Sequence, residues 1–392
     1  MIHGPRRWLP WFYGHTLLVQ AITFILRPTA VYRAIELDVP AHWLGALGAS
    51  FAIVPLVLAV PSGQAADRFG ERRVMLVGAV ITVAAAAAFV VLGNAVWGLL
   101  LASIVLGIGH LCAVVGQQAL VANRTERSRY DTAFGHYTFA ASAGQALGPF
   151  LIILFGGTRA IPDTGAIFVS ALGMCAVLVA LAMLLPAGTL SARARKQASA
   201  GSVRTLLRRP GTVRALAVSC VVLAAVDITL VYLPALGTDR GLAAGTVGLL
   251  LTLRAVASMT SRFFLGRLVG FVGRRRLMIV SVALAAVSMA VVALPLPIAA
   301  MAIVVVLMGL GLGVGQPLTM SWLAEVAPAG QRGRAMSLRL TGNRLGQVLI
   351  PSAVGLVAAG VGAAGVLAAT AAALAAVGVA SRRLAVDGGS SA

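Results

Sequence analysis

The feature that most constrains this chain is a charged turn between two uncharged runs. The turn, Gly63 to Arg73, reads GQAADRFGERR, and the runs on either side, Trp43 to Pro61 and Val74 to Leu92, carry no charged residue. Each run holds roughly 20 residues, the length that a helix needs to cross a bilayer. Because its three arginines outnumber its two acids, we expect the turn on the cytoplasmic face, where basic residues of short loops are retained.

The composition extends this interpretation to the whole chain. Hydrophobic residues make up 59% of the 392 residues and charged residues 11%, and the mean hydropathy is +0.96, so the solvent of this protein is mostly lipid. The net charge of +20 lies in short loops without interleaved aromatic residues, which argues against nucleic-acid binding. The three cysteines lie in apolar runs, so we expect packing residues and neither a disulfide framework nor a metal site.

Apolar runs separated by polar or Gly/Pro-containing turns predict an all-α membrane protein. With both termini in the cytoplasm, 23 of the 31 basic residues fall on the cytoplasmic side, three outside and five within spans. This bias predicts a multi-pass protein of the plasma (inner) membrane with cytoplasmic termini. The twelve predicted transmembrane helices lie near residues 10–35, 42–62, 74–94, 96–121, 134–157, 164–186, 212–236, 242–267, 277–298, 299–323, 335–360 and 362–381.

Two landmarks recur about two hundred residues apart, which indicates a duplicated unit of six helices. The turn at Gly63 has a counterpart at Gly266 (GRLVGFVGRRR), an offset of 203, and GQALGP at Gly144 has a counterpart, GQVLIP, at Gly346, an offset of 202. The two bundles are expected to be related by pseudo-two-fold symmetry. The predicted organisation is a six-helix bundle over 1–190, a cytoplasmic linker over 191–211, a second six-helix bundle over 212–386 and a disordered tail over 387–392.

These landmarks resemble the major facilitator superfamily over essentially the whole chain. The first turn is similar to the loop signature of that family, and the fifth span resembles the Gly-Pro-containing motif of its drug:proton antiporter branch. The resemblance implies a latch in which Asp67 closes the cytoplasmic side by contacting the second bundle. From the residues alone, Asp67 can cap backbone N–H groups, or it can belong to a solvated turn. The predicted latch residues are Gly63, Asp67, Arg68, Gly70, Arg72, Gly144, Gly148 and Pro149.

The chain departs from the family pattern at two places. The second turn has Gly270 and Phe271 in place of Asp-Arg, which predicts a weak or absent latch in that half. The fourth span has Ser103 where many antiporters carry an arginine four residues before a glycine, here Gly107. The arginine through which those antiporters are expected to couple protons is therefore missing at this position.

Polar residues at membrane depth form the candidate site, because a charge in a bilayer costs roughly 2.5 to 3.5 kcal/mol on insertion scales. Asp227 is the only carboxylate well inside a span, and it is the predicted proton carrier because desolvation favours protonation near neutral pH. His110 is a second titratable candidate. The structural alternatives are an ion pair of Asp227 with Arg27 or Arg254, and a packing role for His110.

The excess of deep arginines over acids favours an anionic or carboxylate-bearing substrate. Arg339 and Arg262 lie nearer the cytoplasmic face, and their simplest interpretation is that they extend to it. Asn343 and Arg344 replace Ala141 and Ser142 of the equivalent helix in the first repeat, so we expect a binding wall on the second bundle. The predicted substrate-binding residues are Arg27, Arg254, Asn343, Arg344, Gln117, Gln145, Gln347 and Gln316.

The sequence thus predicts a secondary active transporter that moves a small organic solute by alternating access, with no cofactor. An enzyme is not expected, since no metal-binding, nucleophilic or phosphate-cradling motif can be assembled from the residues present. The leading prediction is proton-coupled efflux, which the resemblance to the antiporters favours. The alternative is proton-linked uptake or exchange of an organic anion, which the arginines favour. The expected partners are the solute, protons and the lipid bilayer, and we expect a monomer, as is usual in the family.

Overall fold

The computed structural model describes residues 7–39, 41–156, 162–187, 203–209, 211–242, 244–328, 330–357 and 362–381. Within these ranges the chain is helical, with one short 3-10 segment at Arg127–Arg129 and no β-strand. The α-helices are α1 (Leu9–Glu36), α2 (Ala41–Phe69), α3 (Glu71–Leu92), α4 (Val96–Arg124), α5 (Tyr130–Gly156), α6 (Thr164–Leu184), α7 (Val203–Leu207), α8 (Thr212–Asp239), α9 (Ala244–Phe263), α10 (Leu265–Val272), α11 (Arg274–Val292), α12 (Ile298–Val326), α13 (Arg332–Val357) and α14 (Gly362–Ser381).

The predicted all-α membrane fold is confirmed. Among the described residues, eight helices are long and apolar enough to cross a bilayer, or nine when α9 and α10, bent by 66° at their junction, count as one span. Helices α2, α5 and α13 have comparable lengths of 29, 27 and 26 residues. Each predicted span overlaps one long helix, or the α9–α10 pair for the eighth span. The twelve-helix count therefore fits the fold.

The two charged turns share one backbone device. Gly70 separates α2 from α3 with a φ of 93°, and Gly273 separates α10 from α11 with a φ of 80°. These left-handed values are open to glycine without steric cost. One glycine at each equivalent position thus lets a helix end and the next begin after a single residue.

By packing, the described chain divides into two compact units. Unit 1 consists of the described residues of Met1–Arg124, Ala140–Gly201 and Pro328–Thr341, and unit 2 of those of Thr125–Phe139, Ser202–Ala327 and Gly342–Ala392. The start of α13 therefore belongs to unit 1, and the start of α5 belongs to unit 2.

The bundle limits predicted from the sequence, 1–190 and 212–386, stay predictions. Within the predicted linker, 191–211, residues 203–207 form α7, and residues 191–202 lie outside the described part of the chain. The predicted tail, 387–392, also lies outside it.

The core of unit 1 is built from large side chains and close helix contacts. Phe89 of α3 and Phe168 of α6 stack with their ring centroids 5.1 Å apart, and both are 1% exposed. A methyl group added to Gly78 would lie 2.7 Å from the backbone nitrogen of Ala113, so α3 and α4 approach each other at a glycine. Small residues allow this close approach in membrane helices.

Candidate functional site

The first charged turn holds a buried carboxylate against the start of α13, inside unit 1. Asp67, near the end of α2, is 1% exposed. Its two carboxylate oxygens accept hydrogen bonds from the backbone N–H groups of Gly333, at 2.7 Å, and Arg334, at 3.0 Å. Because N–H groups of a first helical turn have no acceptor within their own helix, the carboxylate caps α13. The solvated-turn alternative does not describe Asp67.

The burial of Asp67 shifts the pKa of its carboxyl group. Burial raises the pKa of Asp67 to about 7, although the two backbone hydrogen bonds and the Arg334 charge act in the opposite direction. Desolvation disfavours the charged form of a carboxyl group, and here it outweighs the donors. Asp67 follows the predicted span 42–62, so this proton exchange belongs to the turn and not to the membrane interior.

The other residues of the first turn have separate contacts. Gly63 lets α2 approach α13, since a methyl group there would lie 2.6 Å from the carbonyl oxygen of Gly333. The Arg68 guanidinium carbon is 5.3 Å from the ring centroid of Phe69. Arg72 donates a hydrogen bond of 2.5 Å to the carbonyl oxygen of Met183 in the last turn of α6. The latch role of these residues stays a prediction.

The second charged turn is anchored in unit 2 with the opposite polarity. A methyl group at Gly270 would meet no atom within 4 Å, and Phe271 is 88% exposed. Arg274, three residues later, pairs with Asp131 in the first turn of α5 at 2.8 Å and with Glu325 of α12 at 2.6 Å. Arg274 thus gives the second turn a charged contact within unit 2. The weak or absent latch predicted for this half stays a prediction.

The glycines of the fifth span pack against α1. A methyl group at Gly144 would lie 2.9 Å from Cβ of Gln20, and one at Gly148 would lie 2.7 Å from the carbonyl carbon of Phe24. This close approach accounts for both glycines by helix packing. The side chain of Pro149, the third predicted latch residue of this helix, lies outside the part that the structure describes.

A cavity in unit 1 contains Arg27. It has a volume of about 330 Å³ and is lined by residues of α1, α2 and α4, among them Arg27, Phe51 and Ser103. The guanidinium carbon of Arg27 lies 4.4 Å from the ring centroid of Phe51, and the ring of His110 lies 5.5 Å from that of Phe51. Phe51 thus joins two predicted site residues in one cluster. Sequence reasoning missed Phe51 because a phenylalanine in an apolar span gives no signal.

Ser103 lies where many antiporters of the resembled family carry an arginine. It is 4% exposed and lines the same cavity as Arg27. A guanidinium is therefore present in this cavity, but α1 supplies it and α4 does not.

Two adjacent glutamines of α4 connect α1 with the start of α13. Gln117 bonds Nδ1 of His15 at 2.9 Å, and Gln118 accepts a hydrogen bond of 3.0 Å from Arg339. Arg339 is 1% exposed and His15 fully buried. The expectation that Arg339 extends to the membrane surface is therefore wrong. The one signal in the sequence for this cluster was the Gln-Gln pair within an apolar run.

Two further predicted residues also bond inside their own unit. Gln145 donates a hydrogen bond of 3.2 Å to Gln20 in unit 1. In unit 2, Arg262 is half-buried and donates to the carbonyl oxygen of Gly313 at 3.3 Å. Arg262 thus contacts a neighbouring helix of its own unit, and its extension to the membrane surface stays a prediction.

Asp227 and Arg254 both belong to unit 2. Asp227 of α8 is half-buried, Arg254 of α9 is 6% exposed, and the two charges interact. Of the two partners predicted for Asp227, Arg254 is thus the one that unit 2 provides. Arg344 is half-buried in the same unit, and the side chain of Gln347 lies outside the described residues.

Asn343 and Gln316 belong to a buried hydrogen-bonded triad with Ser219. The Ser219 hydroxyl donates to Oδ1 of Asn343 at 2.8 Å, Asn343 donates to Oε1 of Gln316 at 3.2 Å, and Gln316 donates to the carbonyl oxygen of Ser219 at 2.7 Å. All three side chains are at most 6% exposed. These amides hold α8, α12 and α13 together, and the substrate-binding role of Asn343 and Gln316 stays a prediction.

Long apolar helices, two equivalent glycine-hinged turns and buried arginines in both units define this protein as a helical membrane protein. Its sequence matches the family model described as Major Facilitator Superfamily over residues 15–244 and again over 215–388. The chain belongs to the Major Facilitator Superfamily. It is therefore a secondary transporter and not an enzyme.

Solved structures share this fold at low sequence identity. A variant of the E. coli fucose:proton symporter FucP is 14% identical with a TM-score of 0.79, over 95% of this chain and 98% of that one. The human organic anion transporter MFSD10 (TETRAN) is 18% identical with a TM-score of 0.74, over 96% and 99%. The proton:xylose symporter XylE is 14% identical with a TM-score of 0.77, over 94% and 95%. No functionally curated protein matches the sequence.

Proposed function

We propose that this transporter moves a small organic anion, such as a carboxylate-bearing metabolite, coupled to protons. The observation that carries the proposal is the cavity of about 330 Å³ that contains Arg27 and includes no Asp or Glu among its lining residues. A guanidinium binds a carboxylate through two parallel hydrogen bonds. Phe51 supports the guanidinium by a cation–π contact.

Proton coupling is assigned to the Asp227–Arg254 pair in unit 2. A carboxylate that neutralises a buried arginine holds that arginine in place, and protonation of the carboxylate releases it. The interaction of Asp227 with Arg254 supports this role. His110, beside Phe51 in unit 1, is the second proton-binding candidate.

Proton-coupled efflux by antiport is the second candidate function. The glycines of α5 that resemble the antiporter motif favour it, although their contact with α1 also has a packing explanation. The names of two structural neighbours describe proton symporters, which supports proton coupling and leaves direction to experiment. For both candidates we propose a monomer in the inner membrane with cytoplasmic termini.

The test is solute-induced proton flux in proteoliposomes, with carboxylic acids and cationic drugs compared side by side. Acids are expected to move protons in the native protein, and Arg27→Gln is expected to lose this flux while the exposed Arg129→Gln keeps it. A double variant, Arg27→Ser with Ser103→Arg, returns a guanidinium to the same cavity and is expected to restore part of the flux. Flux with cations alone, or an unaffected Arg27→Gln, would overturn the anion proposal.

The direction is read from the same vesicles. Acidification outside that drives accumulation of the acid indicates symport, and acidification that drives its release indicates antiport. Asp227→Asn is expected to abolish the response to the pH gradient while exchange of labelled for unlabelled solute continues. Loss of exchange as well would remove Asp227 as the proton carrier.

A further inference from the structure

We propose that unit 1 binds an anionic phospholipid, with an acyl chain in a groove between α2, α3 and α4 and the phosphate at Arg73. The groove has a volume of about 430 Å³ and is separate in its lining from the cavity that contains Arg27. Because its ligand is a lipid, the proposal is independent of which solute is transported.

The groove has the chemistry of a lipid-chain site. Ten residues line it, and Arg73 is the only charged one. Phe69 and Val77, at its edge, are 50% and 53% exposed. Deeper in the groove, the Ser62 hydroxyl and the Cys112 thiol lie 3.9 Å apart. Apolar side chains exposed at this membrane face are stabilised by hydrocarbon and not by water.

In the adjoining turn the acids are buried and two of the arginines are exposed, so the entrance of the groove is positively charged. Both acids of the turn are buried: Asp67 is 1% exposed and caps α13, and Glu71 is 2% exposed and accepts a hydrogen bond from Asn123. Arg68 and Arg73 are exposed. The turn is nearly balanced in sequence, but the surface that it presents carries its arginines and not its acids.

The exposed arginines and the apolar groove together indicate which class of ligand fits. A basic entrance above an apolar groove between transmembrane helices complements a phosphate headgroup joined to an acyl chain. A free phosphate leaves the apolar walls uncovered, and a zwitterionic phospholipid brings its own cation to an entrance that is already positive. The ligand class is therefore a phospholipid with a net negative headgroup, in the leaflet on the arginine-rich side of the membrane.

The test is native mass spectrometry of the full chain in detergent, titrated with phosphatidylglycerol or with phosphatidylcholine of the same chain length. Phosphatidylglycerol is expected to bind more tightly. Arg73→Gln is expected to weaken it about fivefold, since one arginine near an anionic headgroup contributes on the order of that factor. Ala65→Phe, which fills the groove, is expected to abolish binding of both lipids. Arg129→Gln, an exposed arginine outside the groove, serves as the matched control.

A second measurement follows alkylation of the Cys112 thiol in the groove. It leaves Arg73 and Ala65 unchanged, so its result does not depend on whether those variants fold. In a Cys175→Ala, Cys220→Ala background, phosphatidylglycerol is expected to slow alkylation of Cys112 by a lipid-soluble maleimide, and inorganic phosphate is expected not to. Equal binding of the two lipids, an unaffected Arg73→Gln, or protection by inorganic phosphate alone would each overturn the proposal. Because neither readout involves transport, failure here is distinguishable from failure of the proposed function.

Discussion

Several arginines of this protein bind carbonyl oxygens at helix ends. The last carbonyl groups of a helix have no donor within it, and the planar guanidinium offers several N–H groups to them. Such contacts are made by Arg72 to Met183, by Arg332 to Ala122, by Arg209 to Val326 and by Arg240 to Val292 and Ala293. Arginines that a topology argument counts only as positive charge thus also supply donors to the ends of helices α4, α6, α11 and α12.

Replacement of Asp67 by Asn tests the pH dependence of the α13 cap. The folded-state pKa of about 7 lies above the ordinary value of 3.8, so the folded protein holds the extra proton between these values. The contribution of Asp67 to the free energy of unfolding therefore falls as pH rises from about 4 to about 7 and is constant above that. Asp67→Asn keeps one acceptor without charge and is expected to lose this dependence.

The measurement is thermal unfolding of the purified proteins in detergent between pH 4.5 and 8.5. Asp67→Ala, which removes the cap, is expected to cost about 1 kcal/mol beyond the effect of Asn. If the unfolding temperatures of the native protein and Asp67→Asn changed with pH in parallel, the raised pKa of Asp67 would be contradicted.

Phe51→Leu tests the support of Arg27. A cation–π contact contributes about 0.5 to 2 kcal/mol depending on desolvation, so its loss is expected to raise KM for the transported anion by a factor of about 2 to 30. Phe89→Leu is the matched control, because Phe89 stacks on Phe168 in the core of unit 1. An equal change of KM in both variants would mean that Phe51 acts through packing alone.

At the scale of elements, glycines determine how closely α5 lies to α1. Gly144→Ala places a methyl group 2.9 Å from Cβ of Gln20 and against the carbonyl oxygen of Leu17, and overpacking of this kind costs about 1 to 3 kcal/mol. Gly173→Ala in α6, where no atom lies within 4 Å of the added group, is expected to be neutral or slightly stabilising. The measurement is thermal unfolding of both variants. Similar unfolding temperatures for the two variants would indicate that α5 can shift along α1 to accommodate the methyl group.

The two charged turns anchor equivalent helix starts with opposite charges, which a double-mutant cycle can measure. Arg274→Gln and Asp131→Asn are expected to show a coupling energy of about 0.5 to 3 kcal/mol in unfolding free energy, since the pair is 2.8 Å apart with side chains 17% and 8% exposed. Asp131→Asn alone leaves Arg274 its bond to Glu325, so it is expected to cost less than Arg274→Gln. Strict additivity would show that the pair contributes no mutual stabilisation.

At the scale of the whole molecule, α11 separates two exposed positions that report topology. Phe271 precedes it and is 88% exposed, and Leu294 follows it and is 56% exposed. In a background with the three cysteines replaced by alanine, an impermeant maleimide is expected to label Phe271→Cys only from the cytoplasmic side and Leu294→Cys only from the other side. Labelling of both positions from one side would contradict a crossing by α11.

The fold was predictable from the sequence to a greater extent than the site. The span predicted at 362–381 coincides with α14, and the one at 212–236 lies within α8, because apolar length is a local property. The eighth span was predicted as one helix, whereas the structure bends it by 66° between Phe263 and Leu265. Nothing in the local hydropathy marks that bend.

By itself, the sequence determined the all-α membrane fold, the approximate positions of its long helices and the equivalence of its two charged turns. Run length, loop charge and turn glycines act over a few residues, so they can be read without knowledge of neighbouring helices. Only the tertiary structure decided that Asp67 caps α13, that Arg274 anchors the second turn and that Phe51 joins Arg27 to His110. These contacts link residues far apart in the chain, and helix packing determines which of them meet.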